Sequence, residues 1–184
     1  MSSLDTDAWR EALLTNREHK DEYFARDPNS PIPADQRESF DGLSYFDPNE
    51  SYRFAVELDE YETKETITVE TTTDGERDYL VWGSFAFEVR GEEVTLDAYR
   101  SDPDERRLWV PFRDETSGEE TYGAGRYLDL EDPDDREGDA WVLDFNAAYN
   151  PFCAYSERYE CPLVPMENWL DVPIRAGEKT YRPE

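Results

Sequence analysis

Hydrophobic and polar positions alternate along this chain with two different periods. Between Thr6 and Ala25, Trp9, Leu13, Lys20 and Tyr23 or Phe24 fall near a 3.6-residue spacing. That spacing predicts a helix whose docking face is Trp9, Leu13 and Phe24. Asp5, Thr6 or Asp7 can cap its start, and Asp27-Pro28 ends it, because the residue before a proline is pushed out of helical conformation. Asn29–Asn49, with Pro31, Pro33, Gly42 and Pro48, has no period. Its Phe40, Leu43, Tyr45 and Phe46 are too apolar for a free linker, so this arm is expected to lie over the domain.

From Tyr52 the period becomes two. Phe54, Val56 and Leu58 alternate with Arg53, Ala55 and Glu57. Strands are predicted again at Thr66–Thr72, Tyr79–Arg90, Glu93–Tyr99, Leu108–Phe112, Thr121–Asp129 and Trp141–Asn146. Asp74-Gly75, Gly91 and Ser117-Gly118 mark turns between them, which reads as an antiparallel meander. Glu131–Asp139 reads as a solvated loop, and Val172–Arg175 as one last short strand before an Ala176-Gly177 turn. The expected fold is mainly β: a barrel or sandwich with an N-terminal helix and a proline-rich closing loop. The chain is read as a single domain over 1–184, with the helix at 6–25, the arm at 29–49, the strands at 50–146 and the closing segment at 147–184.

Charge changes the picture next. The 184 residues hold 46 Asp and Glu against 19 Lys and Arg, a formal net charge of −27. The acid is spread along the chain, so it is a coat and not a tail. Such self-repulsion loosens a fold in dilute buffer and is screened at molar salt, where the Debye length is about 3 Å. Only Lys20, Lys64 and Lys179 are lysines. Together these point to the cytoplasm of a salt-in halophile, with solvated cations at the acidic surface. An acidic mimic of nucleic acid is the rival reading, and it would set its carboxylates in rows. No basic, aromatic-interleaved patch suggests nucleic-acid binding. No long apolar run suggests a membrane span, and MSSLDTDAWREALL does not read as a secretory signal.

Against this acid, Ala140–Asn168 stands out. It holds both cysteines and three asparagines, Asn146, Asn150 and Asn168. Asp144 and Asn146 share one face of the expected WVLDFN strand, opposite Trp141, Leu143 and Phe145. Short polar and aromatic side chains can line a pocket for a neutral ligand, and they can equally close turns. Arg126, in TYGAGRYL, is a candidate anion contact or a partner for one of many carboxylates. Gly123 and Gly125 lack the third glycine and the strand-then-helix setting of a dinucleotide site. Cys153 and Cys161 admit three readings: free buried thiols, a disulfide, or a weak pair of metal ligands. His19, alone in the chain, has little scope as a base or zinc ligand.

Several strings resemble the uncharacterised family known as domain of unknown function 1684. They are VPFRDETSGEETYGAGRYLDL at Val110–Leu130, VLDFNAAYNPFCAY at Val142–Tyr155, CPLVPMENWL at Cys161–Leu170 and IRAGEKTY at Ile174–Tyr181, with FDGLSYFDPNESYRFAVEL before them. The resemblance implies a compact, mostly β domain of bacteria and archaea, here a halophilic archaeal member. It implies no reaction. One departure is Phe152, where a second proline is expected after Asn150-Pro151. No cofactor is evident from the residues. Two functions stay open: a small-molecule pocket under the 147–168 loop, with or without catalysis, contacted by Arg126, Asp144, Asn146, Tyr149 and Asn150; or a non-catalytic structural or protein-interaction domain in which the same residues close the fold.

Overall fold

The computed structural model describes residues 5–132, 134–156 and 158–181. Its helix α1 runs Thr6–Arg26. The Asp5 carboxylate caps it by accepting the Ala8 amide at 3.1 Å, and Asp27 ends it. Leu13 and Phe24 are buried as the period predicts, while Trp9 is half-buried and donates its indole N–H to Asp144 at 2.7 Å. Residues 29–49 form the expected irregular arm, packed through the fully buried Ile32.

The strands are β1 (Arg53–Glu57), β2 (Asp59–Glu70), β3 (Glu76–Val89), β4 (Glu92–Arg100), β5 (Arg107–Phe112), β6 (Arg126–Glu131), β7 (Arg136–Glu137) and β8 (Ala140–Asp144). They make two antiparallel sheets. One takes β2 to β6 in chain order, and the other runs β1-β8-β7. The sheets do not close into one barrel; they face a shared core. Phe85, Leu96, Leu108, Val110, Phe112 and Leu128 of the larger sheet meet Trp141 and Leu143 of the smaller, with Phe145 and Ile174 alongside. Each such side chain contributes about 1.5–3 kcal/mol by leaving water.

Four expectations change. Thr121–Gly125 is not strand; β6 starts only at Arg126. Gly125 sets that start, with φ 104° and an added Cβ only 2.6 Å from the Phe112 carbonyl, while nothing presses on Gly123 closer than 3.6 Å. Asn146 is not strand either, since β8 stops at Asp144, whose carboxylate turns the chain into a 3-10 helix at Phe145–Ala147. The acidic loop contains β7, whose Arg136 lies opposite Trp141 and stacks over its ring at 4.6 Å; Pro133 in that loop lies outside the described residues. Val172–Arg175 is extended but pairs with no strand. The Val172 carbonyl accepts the Glu115 amide at 3.1 Å, and the Ile174 N–H and carbonyl go to the side chains of Asp114 and Arg126.

The closing segment touches both faces of the larger sheet: Tyr149 and Pro162 reach its outer face, while Leu170, Val172, Ile174 and Ala176 enter the core. β4 and β5 pair at a single point, Tyr99 with Trp109. Beyond it the strands splay, and Pro111 has no N–H to offer the ladder. Asn168 fills the gap. Its amide accepts from Asp97 N at 2.8 Å and donates to Asp97 O at 2.9 Å and Pro111 O at 2.7 Å.

Candidate functional site

Arg126 is wholly buried. It starts β6 facing inward, opposite Phe112 in the ladder and 5.0 Å over its ring. Its guanidinium donates to the carbonyls of Ala176, Ile174 (2.8 Å) and Glu178 (3.3 Å), and sits 3.6 Å from Asp114. Burial pulls the guanidinium pKa down, while Asp114 and Glu178 hold it up. Asp114 in turn accepts from Ile174 N at 2.5 Å and Thr116 Oγ1 at 2.9 Å. Arg126 thus supplies the hydrogen bonds that a partner strand would have given residues 174–178.

Glu178 is the second buried charge. It takes donors from Lys20 (2.8 Å), the Asn150 amide (3.0 Å) and the Tyr155 hydroxyl. Burial pushes its carboxyl up, against Lys20, the Asn150 amide and Arg126. Asn150 also donates to Lys179 O at 3.0 Å. Arg126 and Asn150 are therefore brought together, through Glu178, in a closed interior.

Asp144 and Asn146 lie elsewhere, under α1. The Asp144 carboxylate holds Trp9, the Asn146 amide N–H at 3.0 Å and the Asn146 side chain at 2.8 Å. Asn146 completes a backbone-like pair with Asn49, accepting its N–H and donating to its carbonyl, each at 2.9 Å. No cleft formed by the described residues is lined by both Arg126 and Asp144. The asparagines of Ala140–Asn168 each bond the backbone of a distant segment, which is why this acid-poor stretch needs them.

Two of the five reach clefts: Asn146 and Tyr149 both line one of about 130 Å³ beside α1, with Arg17, Lys20 and Tyr45, and Tyr149 also reaches a second. Its amide and carbonyl bridge to Tyr127, and its hydroxyl donates to Asp129 at 2.5 Å. Both side chains reach a cleft of about 230 Å³ on the outer face of the larger sheet. Tyr79 and Trp109 stack there at 4.6 Å, and Trp109 meets the Tyr127 ring edge-on at 5.2 Å. Arg77, Ser101, Glu105, Arg107 and Pro162 complete the wall, with Glu105 3.6 Å from Arg107. Burial raises the Asp129 carboxyl, opposed by the Tyr149 hydroxyl and Arg107. A larger cleft of about 480 Å³ lies across the strap, lined by Glu62, Glu65, Asp97 and Glu167 with Tyr61 and Tyr99. Its carboxylates are those of the general acid coat. Among the described residues, the cleft beside Trp109 sets two arginines, the carboxylates of Glu105 and Asp129 and stacked rings together, so the chemistry favours it over the volume.

The residues of the cleft beside Trp109 have a sequence signal. Trp109 is the outward position between inward Leu108 and Val110, and the ladder aligns it with Tyr99 and Asp129. Asp114 and Glu178 have none, because a carboxylate in an acidic chain carries no information. His19 is exposed on α1, and among the described residues no group of three His, Cys, Asp or Glu could hold a metal. No described helix is long and apolar enough to cross a membrane.

The architecture is that of a mainly β domain of two facing antiparallel sheets, strapped by its C-terminal segment and carrying an N-terminal helix. The chain belongs to the family described as protein of unknown function DUF1684, which matches residues 38–179. It is similar to the solution NMR structure of the uncharacterized protein from gene locus rrnAC0354 of Haloarcula marismortui. The two are 47% identical, the match covers 96% of each chain, and the TM-score is 0.73. No curated protein matches the chain.

Proposed function

We propose that the outer cleft binds a small molecule that joins a planar ring to an anionic group. One observation carries the reading. In a chain of net charge −27, Arg77 and Arg107 converge beside the stacked Tyr79 and Trp109, with Asp129 anchored by Tyr149. The rings offer apolar walls, the arginines bind an anion in a fork, and the Asp129 carboxyl orients polar edges. The cleft lies beside the 147–168 strap through Tyr149 and Pro162; Arg126, Asp144, Asn146 and Asn150 support it by holding the chain closed. The reading is of binding, with no reaction assigned. The test is a thermal-shift screen of the full chain in molar potassium chloride against aryl carboxylates and nucleotides. A shift that disappears in Trp109→Ala and weakens in Arg107→Ala is the expected result. No shift with wild type, or equal shifts in both variants, overturns it.

A second reading, a non-catalytic interaction domain, is favoured by Met166 and Trp169, which are 73% and 46% exposed on the strap. A photo-crosslinker at position 166 that captures one protein from a high-salt lysate, with no ligand shift in the screen, selects this reading. The setting we infer is the cytoplasm of a salt-in halophile, supported by the spread acid and by the source of the related structure. The circular dichroism signal should fade as potassium chloride is removed. A fully folded chain in dilute buffer refutes the halophilic setting.

A further inference from the structure

The two cysteines lie eight residues apart and neither is bonded to the other. The fold nevertheless brings them together. The Cys153 amide donates to Cys161 Sγ at 3.4 Å, and the Tyr122 hydroxyl lies 3.5 Å from Cys153 Sγ. Cys161 is itself fixed on the β2–β3 turn. Its N–H reaches Thr72 Oγ1 at 3.3 Å, and its carbonyl accepts the Thr72 amide at 3.0 Å. Cys161 is buried while Cys153 is partly open to solvent. Cys153 is thus the more open residue of the pair.

We propose that Cys153 and Cys161 form a reactive dithiol that reduces hydroperoxides and closes reversibly to a disulfide. Cys153 attacks as the thiolate, having lost its proton to solvent. Its sulfur bonds the terminal oxygen of the hydroperoxide, the O–O bond breaks, and the alkoxide leaves and takes a proton to become the alcohol. Cys153 is now a sulfenic acid. The Cys161 sulfur then attacks the Cys153 sulfur. The S–S bond forms, and hydroxide leaves with the Cys161 proton as water. Two thiols are oxidised by two electrons, and one hydroperoxide is reduced to an alcohol and water.

The surroundings favour this division of labour. Cys153 is held down to about 6 by donors, the Cys161 thiol first and then the Tyr122 and Thr72 hydroxyls, against burial. Cys161 is pushed up by the Cys153 thiolate and by burial, opposed by the Cys153 amide and by Arg77. Tyr127 also faces the pair and stays protonated through burial. Tyr122 is a positioning residue, since it acts through the Cys153 sulfur.

The experiment treats the full chain, folded in molar potassium chloride, with hydrogen peroxide and reads the intact mass. Wild type should lose two hydrogen atoms and regain them with a reducing agent. Cys161→Ser should stop at a sulfenic acid that dimedone traps at Cys153, and Cys153→Ser should do neither. Alkylation of wild-type Cys153 should have a pH midpoint of about 6, and in Cys161→Ala, where a donor is missing, the midpoint should be higher. Tyr122→Phe should raise the midpoint too. Circular dichroism confirms that each variant is folded. Wild type that keeps both thiols, dimedone that labels nothing, or a wild-type midpoint at the ordinary thiol value of about 8.5 overturns the proposal.

Discussion

Arg107 and Arg126 sit on neighbouring strands, β5 and β6, and point to opposite faces of the same sheet. Arg126 is walled in, with three carbonyls and Asp114 as partners. Arg107 is half exposed, with Glu105 at 3.6 Å and Asp129 at 3.9 Å. The first has spent its donors on the chain's own backbone. The second keeps donors free at the mouth of a cleft. A charge that holds a fold together and a charge that can greet a ligand are told apart by what is left over once the chain has closed.

The sharpest way to break that contrast is Arg126→Met. Removing Arg126 strands the buried Asp114 carboxylate and leaves the Ile174 and Ala176 carbonyls without their donor, so stability should fall by about 3–5 kcal/mol. Urea melts in molar potassium chloride measure this, and a loss below about 1 kcal/mol would erase the distinction. Asn168→Ala comes next. It leaves Asp97 N and O and Pro111 O unpaired between splayed strands, which should cost about 2–3 kcal/mol in the same assay.

A pH series sharpens the buried side further. Burial raises the Glu178 carboxyl. The stability linked to a raised group is complete below the unfolded glutamate value, about 4.3, and is lost as pH rises through the folded one. Glu178→Gln lacks this term. The stability of wild type minus that of the variant should therefore decline as pH rises from about 4 to 7. A flat or rising difference would mean that the Lys20 ion pair outweighs burial. The smallest effect belongs to Arg107→Ala, within about 1 kcal/mol, because exposed ion pairs are screened by water and salt. A larger loss would make Arg107 structural and remove it from the proposed binding surface.

The hairpins were legible in the sequence because period-two alternation and Asp74-Gly75 and Gly91 turns are local signals. Helix α1 was legible for the same reason, with Asp5, Thr6 and Asp7 as candidate caps, of which Asp5 is the one used. The start of β6 was misread because Tyr122 to Leu128 alternates like a strand, while the Gly125 turn depends on the Phe112 carbonyl packed against it. The Val172–Arg175 strand failed in a related way. Its Ile174 carbonyl is satisfied by the Arg126 side chain, 48 residues away, and its Val172 carbonyl by the Glu115 amide, and no pattern along the chain encodes that. The acid-poor stretch Ala140–Asn168 contains many buried residues, Trp141, Leu143, Phe145 and Asn150 among them. Its asparagines act one at a time on separate backbones, so no spacing between them could distinguish a pocket from a set of ties.

The Arg126 tie also imposes a timetable. The β2–β6 meander links neighbours in sequence and can assemble early. The β1–β8 pairing must bring Arg53 to Asp144, and Arg126 must wait for carbonyls 48 to 52 residues downstream. Contacts of such long separation form slowly. Until they do, a bare guanidinium stands on the face that will become the core. The half-built domain therefore carries its own wetting agent there, which keeps that face hydrated and discourages it from sticking to another chain before the strap arrives.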